Sequence, residues 1–325
     1  MASATATQRV PGPSGARRWL AGFRERETWT AYVFIFPWIF GFLVFTLGPM
    51  LFSLYYSFTN YGLQQIAGIE GTKTVGFDNY QRLLDDPKVA ASLKNTFVYT
   101  LMMVPATIVV ALLLAMLLMR IGKLAGFFRT IFYLPQITPP VAIGVLVLFL
   151  FNGTFGIVNK GLGLIGITGP FWTSDPNWIK PTLAIMDVWG CGGTMVILLA
   201  ALYGVPQQLY EAAAMDGAGA WRRFKDVTLP MISPALFFSL IILTLAGLSA
   251  FAQAYTAFFG AGQAGSQNEA ALFYAIYLFQ NAFQYFNMGF ASAMAWLLFA
   301  ISLAITAVNF GVGRRFVYYQ GEQKK

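Results

Sequence analysis

A chain of 325 residues that is 57% hydrophobic and 10% charged, with a mean hydropathy of +0.62, lies outside the soluble globular range, where charged residues make up about a quarter. With no histidine and one cysteine, Cys191, it can form neither an internal disulfide nor a Cys/His zinc cluster nor a histidine-based triad. The formal charge of +8 is therefore weighed loop by loop, as a sign of membrane topology rather than of nucleic-acid binding.

Residues 1–29 are rich in Ala, Thr, Pro, Gly and Arg and lack the apolar core of a cleaved signal peptide, so a flexible cytoplasmic tail is expected. Six apolar stretches then reach the roughly 20 residues that a helix needs to cross hydrocarbon. They run from about Ala31 to Phe58, Thr96 to Met119, Ile131 to Phe151, Pro181 to Leu202, Ala235 to Phe259 and Phe290 to Val312. Pro37 and Pro49 should bend or break the first, since each removes a backbone donor. The expected fold is an all-α integral membrane protein of six transmembrane helices, with a transmembrane domain over 30–312, a loop at 204–234 between helices four and five, and a tail at 313–325.

The cations divide unevenly between the connections. Arg9, Arg17, Arg18, Arg24 and Arg26 precede the first span, Arg120, Lys123 and Arg129 follow the second, Arg222, Arg223 and Lys225 follow the fourth, and Arg314, Arg315, Lys324 and Lys325 follow the sixth. These fifteen share one side, against six opposite: Lys73, Arg82, Lys88, Lys94, Lys160 and Lys180. Positive charge stays in the cytoplasm, so both termini and the loop after the fourth span are expected there, in a multi-pass cell-membrane protein. Two outward connections, about Thr59 to Asn95 and Asn152 to Lys180, are long enough to present a surface to a partner. A third, Gly260 to Gly289, has no Lys or Arg and is rich in aromatic and amide residues, which suggests a re-entrant or interfacial segment.

The loop after the fourth span reads Glu211-Ala212-Ala213-Ala214-Met215-Asp216-Gly217-Ala218-Gly219-Ala220-Trp221-Arg222-Arg223-Phe224, followed by Leu229-Pro230 and Pro234. Pro206 can open a helix, the alanine run propagates it, and Gly217 with Gly219 can end it, giving a short helix, a turn and a second short helix. By residue physics this is either a knob shaped to be gripped or an amphipathic hairpin that only joins two spans. The chain has no P-loop of its own: Leu117 stands where the first glycine before Gly122-Lys123 is required.

The run closely resembles the EAA motif of binding-protein-dependent ABC importer permeases, on which Glu211, Ala212, Ala213, Asp216, Gly217, Ala218, Phe224, Leu229, Pro230 and Pro234 all fall. Phe36-Pro37-Trp38-Ile39, Gly48-Pro49-Met50, Gly76-Phe77-Asp78-Asn79-Tyr80, Tyr133-Leu134-Pro135-Gln136-Ile137 and Asp187-Val188-Trp189 are similar to landmarks of the carbohydrate-uptake branch, the maltose, lactose and glycerol-phosphate type. The resemblance implies a non-catalytic permease subunit that forms half of a pore with a second, related permease chain. It further implies two ATP-binding cassette subunits gripping the loop, an external solute-binding protein, and a sugar or glycoside as substrate. No cofactor is then expected in this chain, because the partner ATPase uses the ATP and Mg. One departure stands out: Phe258-Phe259-Gly260-Ala261-Gly262-Gln263-Ala264-Gly265 replaces a Thr-x-Gly-Gly-Pro run.

Polar groups inside spans are costly and tend to face a partner or an aqueous path. Asp187 either faces the solute or fixes a helix by pairing, and Trp189 either stacks on a sugar ring or anchors at the interface. The resemblance puts Ser249, Gln253 and Tyr255 in the sugar-permeating segment, and their amide, hydroxyl and aromatic groups suit a neutral polyhydroxylated solute. Ser292 and Cys191 read more simply as small packing residues. Two alternatives remain open: a permease of the same class for a non-sugar solute, and a secondary transporter driven by an ion gradient, which would need intramembrane charges beyond Asp187 and inverted repeats.

Overall fold

The structure, a computed structural model, describes residues 26–260 and 268–317. Most of the expected N-terminal tail, the departure from Ala261 to Gly265, and the C-terminal tail beyond residue 317 lie outside the described residues. The chain forms two compact units, Met1–Tyr55 and Tyr56–Lys325. Every regular element among the described residues is helical; the extended pairing is a single bridge between Thr59 and Thr74.

In the first unit, helix α1 (Arg26–Phe42) passes through Pro37 without ending, and a π-turn at Leu43–Leu47 leads into α2 (Gly48–Ser57). Gly48 N–H closes the wide turn on the Leu43 carbonyl. The extra residue in that turn accommodates Pro49, which has no donor to offer, so the expected break becomes a widened turn.

In the second unit α3 (Asp78–Asp85) leads into α4 (Pro87–Ile121), whose 35 residues span about 52 Å. Asp86 caps α4, accepting from Lys88 N–H at 2.8 Å with Pro87 at the first helical position, and Asp175 caps α8 (Pro176–Trp189) through Asn177 N–H at 2.9 Å in the same way. Between them lie α5 (Ala125–Tyr133), α6 (Pro140–Leu150) and the short α7 (Ile157–Leu164). Next come α9 (Gly192–Tyr203), α10 (Gln207–Met215), α11 (Leu229–Leu248), α12 (Ala252–Phe258), α13 (Tyr274–Phe279) and α14 (Met288–Phe316).

Among the described residues, four helical stretches are long and apolar enough to cross a membrane: Trp29–Ser57, Pro87–Ile137, Ala220–Phe258 and Met288–Arg314. A fifth results when α8 and α9, bent by 50° at their break, are taken together. The third expected span, Ile131 to Phe151, is divided: α5 gives way to a 3-10 turn at Leu134–Ile137, and α6 starts only at Pro140. Pro135, Pro139 and Pro140 remove three donors within six residues, which the i→i−4 ladder does not survive. The fourth expected span divides at Gly190 and Cys191, and the fifth at Ser249–Phe251.

Buried side chains form two apolar clusters. One gathers Val147, Ile179, Leu183, Ala254, Phe258, Phe273, Tyr274 and Phe290. The other gathers Ala111, Leu118, Met195, Leu198 and Ile232. In the connection from Gly260 to Gly289, where a re-entrant or interfacial segment is expected, the described stretch from Ala271 through Tyr274 is core. Tyr274 N–H donates to Thr96 Oγ1 at 2.9 Å and its hydroxyl to the Met294 carbonyl at 2.9 Å, while Tyr277 donates to Asp86 Oδ2 at 2.6 Å. Burial first, and then the bond to Asp86, push the Tyr277 phenol up to about 12, so it remains a donor at neutral pH.

Candidate functional site

The three helix breaks meet at one place. Pro135, Gln136, Thr138 and Pro140 from the break before α6, Gly190, Cys191 and Gly193 from the break before α9, and Ser249, Ala250 and Phe251 from the break before α12 all line a cavity of about 630 Å³. Irregular backbone at membrane depth is tolerated where it is buried in protein or lines a cavity that water or a polar solute can fill. The remaining wall comes from the unbroken α4, through Tyr99, Met103 and Thr107.

Three polar side chains close on each other at this wall. Tyr99 of α4 donates its hydroxyl to Asp187 Oδ2, and Gln253 of α12 donates Nε2 to Asp187 Oδ1 at 2.7 Å and to the Tyr99 oxygen at 3.3 Å. The carboxylate thus ties α8 to α4 and to α12 at once. Gly144 of α6 permits the last contact: a Cβ there would lie 2.6 Å from the Gln253 carbonyl oxygen and 2.8 Å from Thr256 Cβ, so a larger residue would push α12 away. Tyr99 also packs on Phe273 with ring centroids 4.8 Å apart, which fixes its ring.

Of the expected path residues, Asp187, Ser249 and Gln253 share this cavity. Asp187 both pairs and faces the cavity, so the two readings of it hold together. Trp189 is 48% exposed at the end of α8 and outside the lining. Tyr255 sits in an aromatic cluster with Phe251 at 5.1 Å and Phe279 at 5.2 Å, and accepts from Gln284 Nε2 at 3.0 Å. Sequence reasoning passed over Tyr99, Thr107 and Thr194. The available signal was Tyr99, Met103 and Thr107 at a spacing of four, one stripe of α4 carrying two of the hydroxyls of a largely apolar span.

The loop before α11 is a separate construction. α10 ends in a Schellman turn: Gly217 N–H donates to the Ala214 carbonyl at 3.0 Å and Ala218 N–H to the Ala213 carbonyl at 2.9 Å. Gly217 has φ +74°, which a residue with a Cβ adopts only under strain. One helical turn at Ala220–Arg223 and a π-turn at Phe224–Thr228 return the chain to α11, and Tyr210 and Thr228 share a 2.9 Å hydroxyl bond that holds α10 to the returning strand of the loop. Glu211, Ala212, Asp216 and Gly217 are exposed, Ala213 and Ala218 half-buried, and Leu229 and Pro230 half-buried at the start of α11. Met215 at 90% and Trp221 at 76% exposure add two large apolar side chains to the same protrusion.

Residues 107–318 match the family described as the binding-protein-dependent transport system inner membrane component. Over 303 residues the chain is 37% identical to the probable ABC transporter permease protein YesP of Bacillus subtilis (strain 168), covering 92% of this chain and 95% of that protein. Over 289 residues it is 32% identical to the lactose transport system permease protein LacF of Rhizobium radiobacter, covering 87% and 93%. In fold it resembles the solved bacterial alginate ABC transporter in complex with an alginate pentasaccharide-bound periplasmic protein, with a TM-score of 0.75, 23% identity and coverage of 92% and 98%.

Proposed function

The chain belongs to the binding-protein-dependent transport system inner membrane component family, and from that premise we propose that it is the permease subunit of an ATP-driven importer for a sugar or glycoside. It is a multi-pass membrane protein. The observation that carries the transport reading is the meeting of three broken helices and the Asp187 cluster at one cavity. A relative named for lactose and the carbohydrate-type landmarks support a sugar as the solute.

In this reading α5, the turn at Leu134–Ile137 and α6 together make one crossing, as do α8 and α9, so that the chain crosses six times with both termini in the cytoplasm. The cation bias supports that orientation. α10 and the residues Glu211, Ala212, Ala213, Asp216, Gly217 and Ala218 are the coupling element, with Leu229 and Pro230 seating it on α11, and Met215 and Trp221 are its apolar anchors. The chain performs no chemistry. A second permease chain completes the pore, two ATPase subunits use ATP and Mg, and a solute-loaded external protein delivers to the outward face; closure of the ATPases moves the loop and the cavity alternates between the two sides. The path comprises Asp187, Ser249 and Gln253 at the cavity, with Trp189 and Tyr255 at its margins.

The test is uptake of the solute into liposomes holding the complete importer, with an ionophore present to remove ion gradients. ATP-dependent accumulation is expected. Accumulation that needs a gradient and ignores ATP would overturn the reading.

A further inference from the structure

Resting on the transport reading, we propose that this chain's cavity is a charge filter: Asp187 is the specificity-determining residue that makes it accept uncharged polyhydroxylated solutes and reject those with carboxylate, sulfonate or phosphate groups. Family membership does not fix this property. Alginate, the solute of the structurally similar transporter, is an acidic polysaccharide, whereas lactose carries no charge.

Among the described residues the lining contains no lysine or arginine, and Asp187 is its one charged residue. Both carboxylate oxygens accept, one from Tyr99 and one from Gln253, and hydrogen bonds from two neutral donors favour the ionised form. These donors are neutral, so they hold the charge in place without cancelling it. An anionic solute would meet a fixed like charge with no cation in the lining to offset it, and in a partly desolvated site such repulsion is poorly screened. The other polar groups suit a sugar. Gln136, Thr138, Thr194 and Ser249 add uncharged donors and acceptors around the same space, and Ile143, Met186 and Ile197 give flat apolar surface.

The test reads the sign of the cavity in the assembled importer, with both permease chains present. Ser249 is exposed in the cavity wall, so Ser249→Cys in a Cys191→Ala background provides a single labelling site. Its reaction rates are measured with a neutral, a cationic and an anionic methanethiosulfonate, each divided by the rate with a free thiol. The cationic reagent is expected to react about tenfold faster than the anionic one, and Asp187→Asn to bring that ratio close to one while Asp187→Glu preserves it. A ratio of one or below, a ratio unmoved by Asp187→Asn, or failure of the neutral reagent to react would each overturn the proposal. The neutral rate measured in each variant normalises the charged-reagent rates for the accessibility and the thiolate fraction of the cysteine. As the second arm, mass spectrometry identifies the solute that importer-bearing cells accumulate: a neutral glycoside supports the filter and an anionic one overturns it. Because the labelling ratio is independent of how transport is driven, failure of the filter and failure of the ATP-driven reading are told apart.

Discussion

The loop around Gly217 and the cavity around Asp187 are built by opposite means. The loop is local: its helix, its Schellman turn and its return are made by residues within about 25 positions of each other, and Glu211, Asp216, Met215 and Trp221 are exposed. The cavity is non-local: Asp187 stands 88 residues from Tyr99 and 66 from Gln253, and each partner comes from a different helix. A local element keeps its shape when its surroundings move, which suits a part that another subunit grips. A non-local cluster exists only while its helices hold one arrangement, which suits a part that must open and close.

That contrast can be broken or sharpened by substitution. The largest effects on transport are expected in the loop: Gly217→Asp, which puts a Cβ at φ +74°, and Glu211→Lys, which reverses a charge on the exposed face, should each reduce ATP-driven uptake by at least about tenfold. The thermal midpoint of the purified chain should move little, as a differential scan would register. Unchanged uptake in both variants would remove the loop from the coupling path.

Asp187→Ala should do the reverse, lowering stability first. It leaves the Tyr99 hydroxyl and the Gln253 amide without their acceptor, at about 1–3 kcal/mol for each group stranded, and a scan should show the loss directly. Gln253→Ala should weaken uptake while leaving ATPase association intact, measurable by co-purification. Gly144→Leu is expected to cost about 1–3 kcal/mol by forcing α12 off α6, and to lower uptake through the displaced Gln253. At the small end, Arg222→Ala removes an exposed ion pair to Asp226 at 3.4 Å and should change stability by at most about 1 kcal/mol. A larger loss there would mean that the loop depends on its charges for shape as well as for docking.

Much of the loop was legible in the sequence because its determinants are consecutive: a proline to open α10, alanines to propagate it and Gly217 to end it. The exposed anchors Met215 and Trp221 were visible as residues but not as a surface, since exposure depends on how α10 lies against α11. For the connection that holds Ala271–Tyr274 the sequence pointed to a re-entrant or interfacial segment rather than free coil, but not to which of its residues are buried. Tyr274 there bonds Thr96, 178 residues away on α4, as well as Met294, 20 residues away on α14.

By itself, the sequence determined the solvent of this protein, the apolar stretches, the sidedness expected from its cations, and the helix and turn of the loop around Gly217, because hydropathy, charge and helix punctuation act over a few residues to a few tens. Only the tertiary structure decided that the prolines of Leu134–Pro140, the glycines around Cys191 and the break at Ser249–Phe251 serve one cavity, and that Tyr99, Asp187 and Gln253 share one set of hydrogen bonds. A helix break is written locally, but what its freed backbone faces is set by the packing of other helices. Nothing in the order of residues along one span records which neighbours will lie across from it.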